Sequence, residues 1–335
     1  MMARRILSIL GLTVAGLVIA IVTGWGAFVL FYLGPGSGTV RTALAWSFAA
    51  LAVVTIGTLA VRRARRPALV VFAAALALVL VAWNSPTPSN DRDWQPEVAV
   101  LPYATISGDL VTVHNIRNFD YRTETDFTPA YYDRTFDLRR LDRVDLLAVY
   151  WMGPAIAHVF MSFGFGDQHL PISIEVRKTR SKEYSTIPGF FRQYELYYVV
   201  ADEHDVIRVR TNYRKSPPEE VYMFHVMGPL ENSRRVFLDY MRDINALKTQ
   251  PRFYNTLTTN CTTMIFAHTT VNPGHLPLSW KILLSGYVPE YVYEQGHFDQ
   301  SLPFAELKRR GHINAVAQAA DKAADFSQRI RAGLP

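Results

Sequence analysis

Three long apolar stretches fill most of the first quarter of this chain, at residues 6–33, 43–61 and 68–83. A helix needs about 20 predominantly apolar residues to cross a bilayer. The first two stretches reach that length, and the third reaches it if its flanking residues lie in the headgroup region. The first stretch is too long for a secretory signal peptide, and no cleavage site of small residues follows it. The sequence therefore predicts an anchor of three transmembrane helices over residues 1–84.

Arginine residues orient the predicted spans. Arg4 and Arg5 precede the first span, and four more arginines lie within residues 62–66, between the second and the third. Because segments rich in Lys and Arg stay on the cytoplasmic side, we expect a cytoplasmic N-terminus. Three crossings then export everything after residue 84, which in a bacterium is the periplasmic side. We expect a multi-pass protein of the bacterial inner membrane.

The exported part is expected to form an α+β domain over residues 95–300, after a Pro- and Ser-rich tether at residues 85–94. Alternating apolar segments predict mostly antiparallel strands at residues 98–104, 110–116, 144–151, 155–165, 172–177, 194–200, 206–211 and 221–226. Helical spacing predicts helices over residues 229–247 and 261–270. An amphipathic helical tail with a solvated charged face is expected over residues 301–335. The sheet therefore comes first in the chain, and the helices come late.

The only cysteine of the chain, Cys261, lies where a polar, turn-prone segment passes into the second predicted helix. At the first turn of a helix the macrodipole stabilises a thiolate, and backbone N–H groups can hold an oxyanion. An unpaired thiol in an oxidising compartment is a chemical liability that usually needs a reason. Cys261 is therefore a candidate nucleophile, and the alternative is an inert, buried thiol.

A cysteine nucleophile needs a base, and the candidate among nine histidines is His158. His268 lies seven residues along the same helix, about 10 Å from the thiol and too far for a hydrogen bond. His158 lies in a predicted strand, which holds an imidazole at a fixed angle. Glu175 on the next strand is the candidate third member, provided that the register brings it opposite His158. The alternatives are a structural histidine and an ion pair of Glu175 with Arg177 or Arg210.

Two short motifs carry a family resemblance, Tyr254-Asn255-Thr256 and Asn260-Cys261-Thr262-Thr263. Less specific matches are Arg117-Asn118-Phe119, Tyr150-Trp151, His158 in its aromatic strand, Ser173-Ile174-Glu175 and residues 208–212. Together they resemble the periplasmic domain of the Lnb-type lipoprotein N-acyltransferases over about residues 95–285. The order of a histidine strand before a cysteine helix also resembles permuted, NlpC-type papain-like enzymes, which implies that fold for the domain.

The resemblance implies a membrane-bound acyltransferase in which Cys261 is the nucleophile and His158 the base. It would move a fatty acyl chain from a phospholipid, through a thioester, to the N-terminal amine of a bacterial lipoprotein. Asn260 and Thr262 are candidates for orienting the oxyanion, with helix capping as the alternative for Asn260 and a plain first-turn position for Thr262. Candidate substrate contacts are Arg117, Arg177, Arg208 and Arg210, whose guanidinium groups match phosphate, together with Tyr254 and Asn255.

Other ligands and functions are less well supported by the sequence. No CxxC pair, HExxH motif, Gly-rich phosphate loop or internal repeat occurs, so we predict no metal, cofactor or nucleic acid as a ligand. Two other functions stay open: a periplasmic cysteine peptidase or amidase acting on peptidoglycan or protein, and a non-catalytic membrane-tethered binding module. The aromatic segments 187–194 and 280–293 either contact lipid or pack on the protein.

Overall fold

The computed structural model describes residues 2–335, without the side chains of residues 2–5 and 8. Arg4 and Arg5, on which the predicted orientation partly depends, have side chains outside this description. The chain divides into two compact units. One comprises the residues up to 88 together with 185–193, and the other comprises residues 89–184 and 194–335.

Three helices form most of the first unit: α1 (Met2–Leu33), α2 (Gly38–Thr58) and α3 (Arg62–Asn84). Each is long and apolar enough to cross a membrane, which confirms the prediction of three membrane-capable helices. Many of their large apolar side chains are exposed, as expected of surfaces that face lipid. The arginines of residues 62–66 form the first turns of α3 rather than a loop.

A segment between two strands of the second unit belongs to the helical unit. The ring of Phe191 is buried and lies 5.4 Å from the ring of Tyr32. Arg192 donates from Nη1 to the Trp83 carbonyl oxygen at 2.7 Å, and its guanidinium group lies over the indole. This part of the predicted aromatic loop therefore packs on the membrane-capable helices.

The second unit contains ten strands and eight helices. The strands are β1 (Tyr103–Ser107), β2 (Leu110–Arg117), β3 (Asp120–Tyr121), β4 (Phe127–Thr128), β5 (Tyr131–Asp137), β6 (Arg143–Tyr150), β7 (Ala157–Phe165), β8 (Gln168–Arg177), β9 (Glu195–Val200) and β10 (Glu220–His225). The helices are α4 (Glu203–Arg208), α5 (Leu230–Thr249), α6 (Cys261–Thr269), α7 (Trp280–Leu283), α8 (Val288–Glu294), α9 (Phe304–Arg310), α10 (Asn314–Ala319) and α11 (Phe326–Arg329). The main sheet is antiparallel in the order β10-β6-β7-β8-β9. The predicted α+β architecture is confirmed.

Two strand predictions fail for local reasons. Residues 206–211 form the end of α4 and a π-helical turn, Val209–Tyr213. The Asp202 side chain accepts a hydrogen bond from the His204 N–H and so caps α4, and this outweighs the alternation of the sequence. Residues 98–104 are strand only from Tyr103, because a 3₁₀ turn, Pro96–Val98, comes first.

Two separate cores cover the two faces of the main sheet. On one face, Val159 and Phe163 pack with Phe237 of α5. On the other face, Phe160 packs in a core that includes Ile313. Because successive side chains of a strand point to opposite faces, β7 contributes to both cores.

The segment predicted as a separate, solvated tail is part of this second core, which also includes Phe326 and Ile330. Arg331 donates to Asp145 Oδ2 at 2.9 Å and to Glu203 Oε1 at 2.6 Å. Both carboxylates are fully buried, so the pairing fastens the C-terminal segment to the sheet. The predicted boundary at residue 301 is therefore wrong as a structural division.

The predicted tether also extends too far, because its second half is folded onto the domain. Trp94 is buried under the guanidinium group of Arg177, 4.2 Å from its ring centroid. The Asn90 amide donates to the Leu247 carbonyl oxygen at 2.9 Å. The second unit accordingly begins at Ser89.

Candidate active site

Cys261 is the first residue of α6, as the sequence predicts. The Asn260 side chain accepts from the Thr263 N–H at 2.9 Å, and the Thr263 hydroxyl accepts from the Asn260 N–H at 2.9 Å. These reciprocal bonds form a capping box, which starts the helix at this residue. The thiol therefore lies at the positive end of the helix, beside first-turn N–H groups that have no acceptor within the helix.

His158 on β7 and the backbone N–H of Val159 lie close enough to the Cys261 thiol to lower its pKa. Strands β7 and β8 are paired from Phe165, opposite Gln168, to Met161, opposite Ile172. His158 and Val159 lie beyond its end, where α6 approaches the strand. The structure thus brings together the predicted nucleophile and the predicted base.

Glu175 also lies at this site. His158 Nε2 is 3.1 Å from Glu175 Oε1 and 2.6 Å from Ser173 Oγ, and Ser173 donates to the same Glu175 oxygen at 2.8 Å. Because Nε2 faces these two groups, Nδ1 is the nitrogen left for the thiol. Extending the β7–β8 register by three residues places Glu175 opposite His158, as the prediction required. Sequence reasoning gave Ser173 no role, although it shares a strand face with Glu175.

Arg210 holds the far side of the carboxylate. Its Nη2 donates to Glu175 Oε1 at 2.7 Å, and its Nη1 lies 3.4 Å from Glu219 Oε2. The guanidinium group is also 5.6 Å from the centroid of the Phe160 ring, beneath the sheet. Of the two structural partners that the sequence proposed for Glu175, the structure selects Arg210, and it places this ion pair behind the histidine.

The charges at this site shift the protonation of each member. Burial lowers the pKa of His158, but the charges of Glu175 and the Cys261 thiolate outweigh it and raise the pKa to about 9. Burial raises the pKa of Cys261, yet the His158 charge and hydrogen bond bring it below its ordinary value. Burial likewise raises the pKa of Glu175, and His158 and Arg210 together lower it well below its usual range. These shifts favour the thiolate and imidazolium forms of the pair over the neutral ones.

The connection from α7 to α8 fixes the start of β7. The Ser285 hydroxyl accepts from the Ala157 N–H, and the Gly286 N–H donates to the Ala155 carbonyl oxygen, both at 3.0 Å. A Cβ at Gly286 would lie 2.0 Å from the Pro154 carbonyl oxygen, so only glycine allows this approach. The residues just before His158 are therefore held on the α7 side of the site.

Asn260 and Thr262 use their side chains to shape α6. The Asn260 amide donates to the Thr256 carbonyl oxygen at 2.6 Å, in addition to accepting at the capping box. The Thr262 hydroxyl donates to the Ile282 carbonyl oxygen at 2.6 Å. The alternative of helix capping therefore holds for Asn260. At this helix start, the backbone N–H groups are the first candidates for stabilising an oxyanion.

The candidate phosphate-binding arginines are instead paired inside the protein. Arg117 makes a two-point contact with the buried carboxylate of Asp205 at 2.7 and 2.9 Å. Arg208 is buried and donates to Asp120 at 2.8 Å. Arg177 donates to the carbonyl oxygens of Val98 and Ala99. Because these donors already have partners in a buried setting, the structure gives them a structural role, as it does for Arg210.

Tyr254 and Asn255 shape the loop that leads to Cys261. Tyr254 is 9% exposed, and burial raises its pKa. The Asn255 side chain accepts from the N–H groups of Leu257 and Thr258 at 2.9 and 3.0 Å, which closes a turn. Substrate contact by either residue stays a prediction.

His268, which the sequence places too far from the thiol, has other partners. Its Nδ1 is 2.8 Å from Asp239 and its Nε2 is 2.7 Å from the Tyr198 hydroxyl. Within the part of the chain that the structure describes, no group of three or more His, Cys, Asp or Glu side chains is arranged to hold a metal ion.

Residues 127–286 match the family described as the Lnb N-terminal periplasmic domain. The match includes His158, Glu175 and Cys261, and it confirms the resemblance seen in the Asn-Cys-Thr-Thr block. It begins later than the predicted residue 95, so the motif at Arg117 lies outside it. No curated protein and no solved structure matches this chain, and the relation to permuted papain-like enzymes stays a prediction.

Proposed function

We propose that this protein is a membrane-bound thiol acyltransferase that moves a fatty acyl chain from a phospholipid to the N-terminal amine of a bacterial lipoprotein. The observation that carries the proposal is the meeting of Cys261 and His158 at the start of α6, with Glu175 3.1 Å behind the imidazole. The match to a periplasmic domain family and the three membrane-capable helices support a lipid-borne substrate.

In the first step, the Cys261 thiolate attacks the carbonyl carbon of a phospholipid ester. The C–S bond forms, the ester C–O bond breaks, and the His158 imidazolium gives its proton to the leaving alkoxide, which departs as a lysophospholipid. First-turn N–H groups of α6 stabilise the tetrahedral oxyanion, an effect typically worth about 3 kcal/mol for each donor.

In the second step, the acceptor amine attacks the thioester carbon. The C–N bond forms, the C–S bond breaks, and His158 takes the proton that the amine loses, which regenerates the thiolate–imidazolium pair. Glu175, fixed by Arg210, keeps the imidazole oriented and favours its charged form.

The test uses the full chain in lipid nanodiscs with radiolabelled phospholipid, followed by acid quenching to trap a thioester. We expect labelled protein and lysophospholipid from the parent chain, and neither from Cys261→Ala or His158→Ala with folding intact. The matched control is His312→Ala, at a half-exposed histidine on the domain surface, which should retain full labelling. A synthetic diacylglyceryl lipopeptide should then discharge the thioester and become N-acylated.

Two results would contradict this assignment. Full activity in Cys261→Ser would count against a thiol mechanism. Release of peptidoglycan or peptide fragments without lysophospholipid would indicate the peptidase or amidase, which shares the same pair and differs in the acyl group that it attacks.

A further inference from the structure

A cavity of about 170 Å³ lies beside the nucleophile helix, within the second unit. From α6 it is lined by Thr262, Ile265, Phe266 and Thr269, and from β7 by Met161 and Phe163. The lining therefore starts one residue after Cys261 and three residues after His158. It continues along α6 for about 11 Å, from Thr262 to Thr269 at 1.5 Å per residue. The cavity belongs to the same two elements that carry the reacting groups.

The cavity walls are chemically suited to hydrocarbon. Val236 of α5 and Val292 of α8 complete an interior in which most side chains are apolar. Protein cores are packed with few voids, and a dry apolar cavity of about 150 Å³ is already large enough to bind benzene. An apolar space of this size next to a nucleophile is therefore large enough to bind a small hydrocarbon group.

One wall of the cavity has its outer side exposed. Ile282 of α7 lines the cavity, and its carbonyl oxygen accepts the bond from Thr262. On and beside the same short helix, Leu278 is 77% exposed, Trp280 58% and Leu283 46%. Trp and Leu at this exposure are typical of a surface that meets a membrane interface. Within residues 280–293, Ile282 is therefore packed inside the protein while Trp280 and Leu283 are exposed, and contact with lipid stays a prediction.

We propose that this cavity holds the part of the donor's fatty acyl chain nearest the carbonyl while the carbonyl carbon lies at the Cys261 sulfur, and that the chain enters from the bilayer past α7. The inference rests on the proposed acyltransferase function and adds the subsite that selects the chain. The proposed source of the acyl chain is a phospholipid, because the carbonyl carbon that reacts with the sulfur is that of the donor ester.

The first test needs no turnover. The Cys261→Ala chain in nanodiscs is irradiated with a phospholipid that carries a diazirine near the sixth carbon of one hexadecanoyl chain, and the labelled peptides are mapped. We expect label in residues 226–236 and 262–276. Label confined to residues 2–88 would overturn the proposal, as would cavity label that comes only from a diazirine-bearing diacylglyceryl lipopeptide and not from the phospholipid.

The second test changes the cavity and measures chain-length preference in thioester formation. Each methylene that enters an apolar site favours binding about fourfold. Ile265→Trp should therefore lower the preference for octanoyl over butanoyl donors by at least about tenfold, while Ile265→Ala should keep it. Val316→Trp, on the surface of α10 and away from the cavity, is the matched control and should leave the preference unchanged.

These results separate the two proposals. An unchanged chain preference in a folded Ile265→Trp chain would refute the acyl subsite while thioester formation still supports the transferase. If the cavity residues are labelled but the parent chain forms no thioester, the transferase function is refuted and the cavity is a lipid-binding site only. If Ile265→Trp does not fold, the diazirine map decides alone.

Discussion

Replacing Glu175 by Gln should remove the charge that keeps His158 protonated. The two groups are 3.1 Å apart, a separation at which a unit charge pair is worth about 5 kcal/mol at an effective dielectric constant of 20. The pKa of His158 is raised from its ordinary 6.5 to about 9, which corresponds to roughly 3 kcal/mol in favour of the imidazolium. The smaller value is reasonable, because burial and Arg210 oppose the carboxylate.

Without that charge, burial lowers the pKa of His158 below its ordinary value, and the imidazole is neutral at pH 7. Cys261 then loses its cationic partner, and burial raises the pKa of its thiol. The thiolate fraction at pH 7 should therefore fall. The rate of alkylation by iodoacetamide should fall with it by more than about threefold at pH 7 and recover as the pH approaches 9.

The assay is clean because Cys261 is the only cysteine in the chain, so every alkylated thiol is the one in question. Rates are measured by mass spectrometry from pH 5 to pH 10 on the full chain in nanodiscs. Glu306→Gln, which removes a surface carboxylate paired with Arg309 and Arg310, should reproduce the parent profile. An alkylation rate for folded Glu175→Gln within threefold of the parent at pH 7 would refute the electrostatic coupling.

Two further predictions concern pH and stability. Because the pKa of His158 is raised to about 9, its imidazole stays protonated at lower pH. Acylation by phospholipid should therefore fall as the pH rises through about 9, whereas alkylation by iodoacetamide should not. A parallel loss of both rates would exclude a proton-donor role for His158. Arg331→Met should destabilise the second unit by about 3–5 kcal/mol, because Glu203 stays buried without its cation, whereas Asp145 keeps Arg143. Thermal unfolding followed by tryptophan fluorescence measures this, and Arg329→Met, which breaks only an exposed pair on α11, should change stability by less than about 0.5 kcal/mol.

Features that depend on near neighbours in sequence could be predicted. The membrane-capable helices follow from composition, most strands of the main sheet follow from alternation, and the start of α6 at Cys261 follows from the turn-prone block before it. The errors also have local causes. Residues 206–211 alternate like a strand, but a capping aspartate and the buried ion pairs of Glu203 and Asp205 favour a helix here.

Side-chain pairing depended on tertiary structure. Arg117 and Arg208 look like surface cations in the sequence, and only the fold shows that Asp205 and Asp120 neutralise them. The same holds for the C-terminal segment, whose apolar positions are too irregular to reveal that they complete a core.

The sequence by itself determined that a membrane-anchored α+β protein would place a single thiol at a helix start, because composition, periodicity and capping act over a few residues. Only the tertiary structure decided which imidazole meets that thiol and which carboxylate stands behind it. That choice depends on strand register and on the approach of α6 to the end of the β7–β8 ladder. Such contacts join residues far apart in the chain, and their energies come from burial and charge in the folded state rather than from any local pattern.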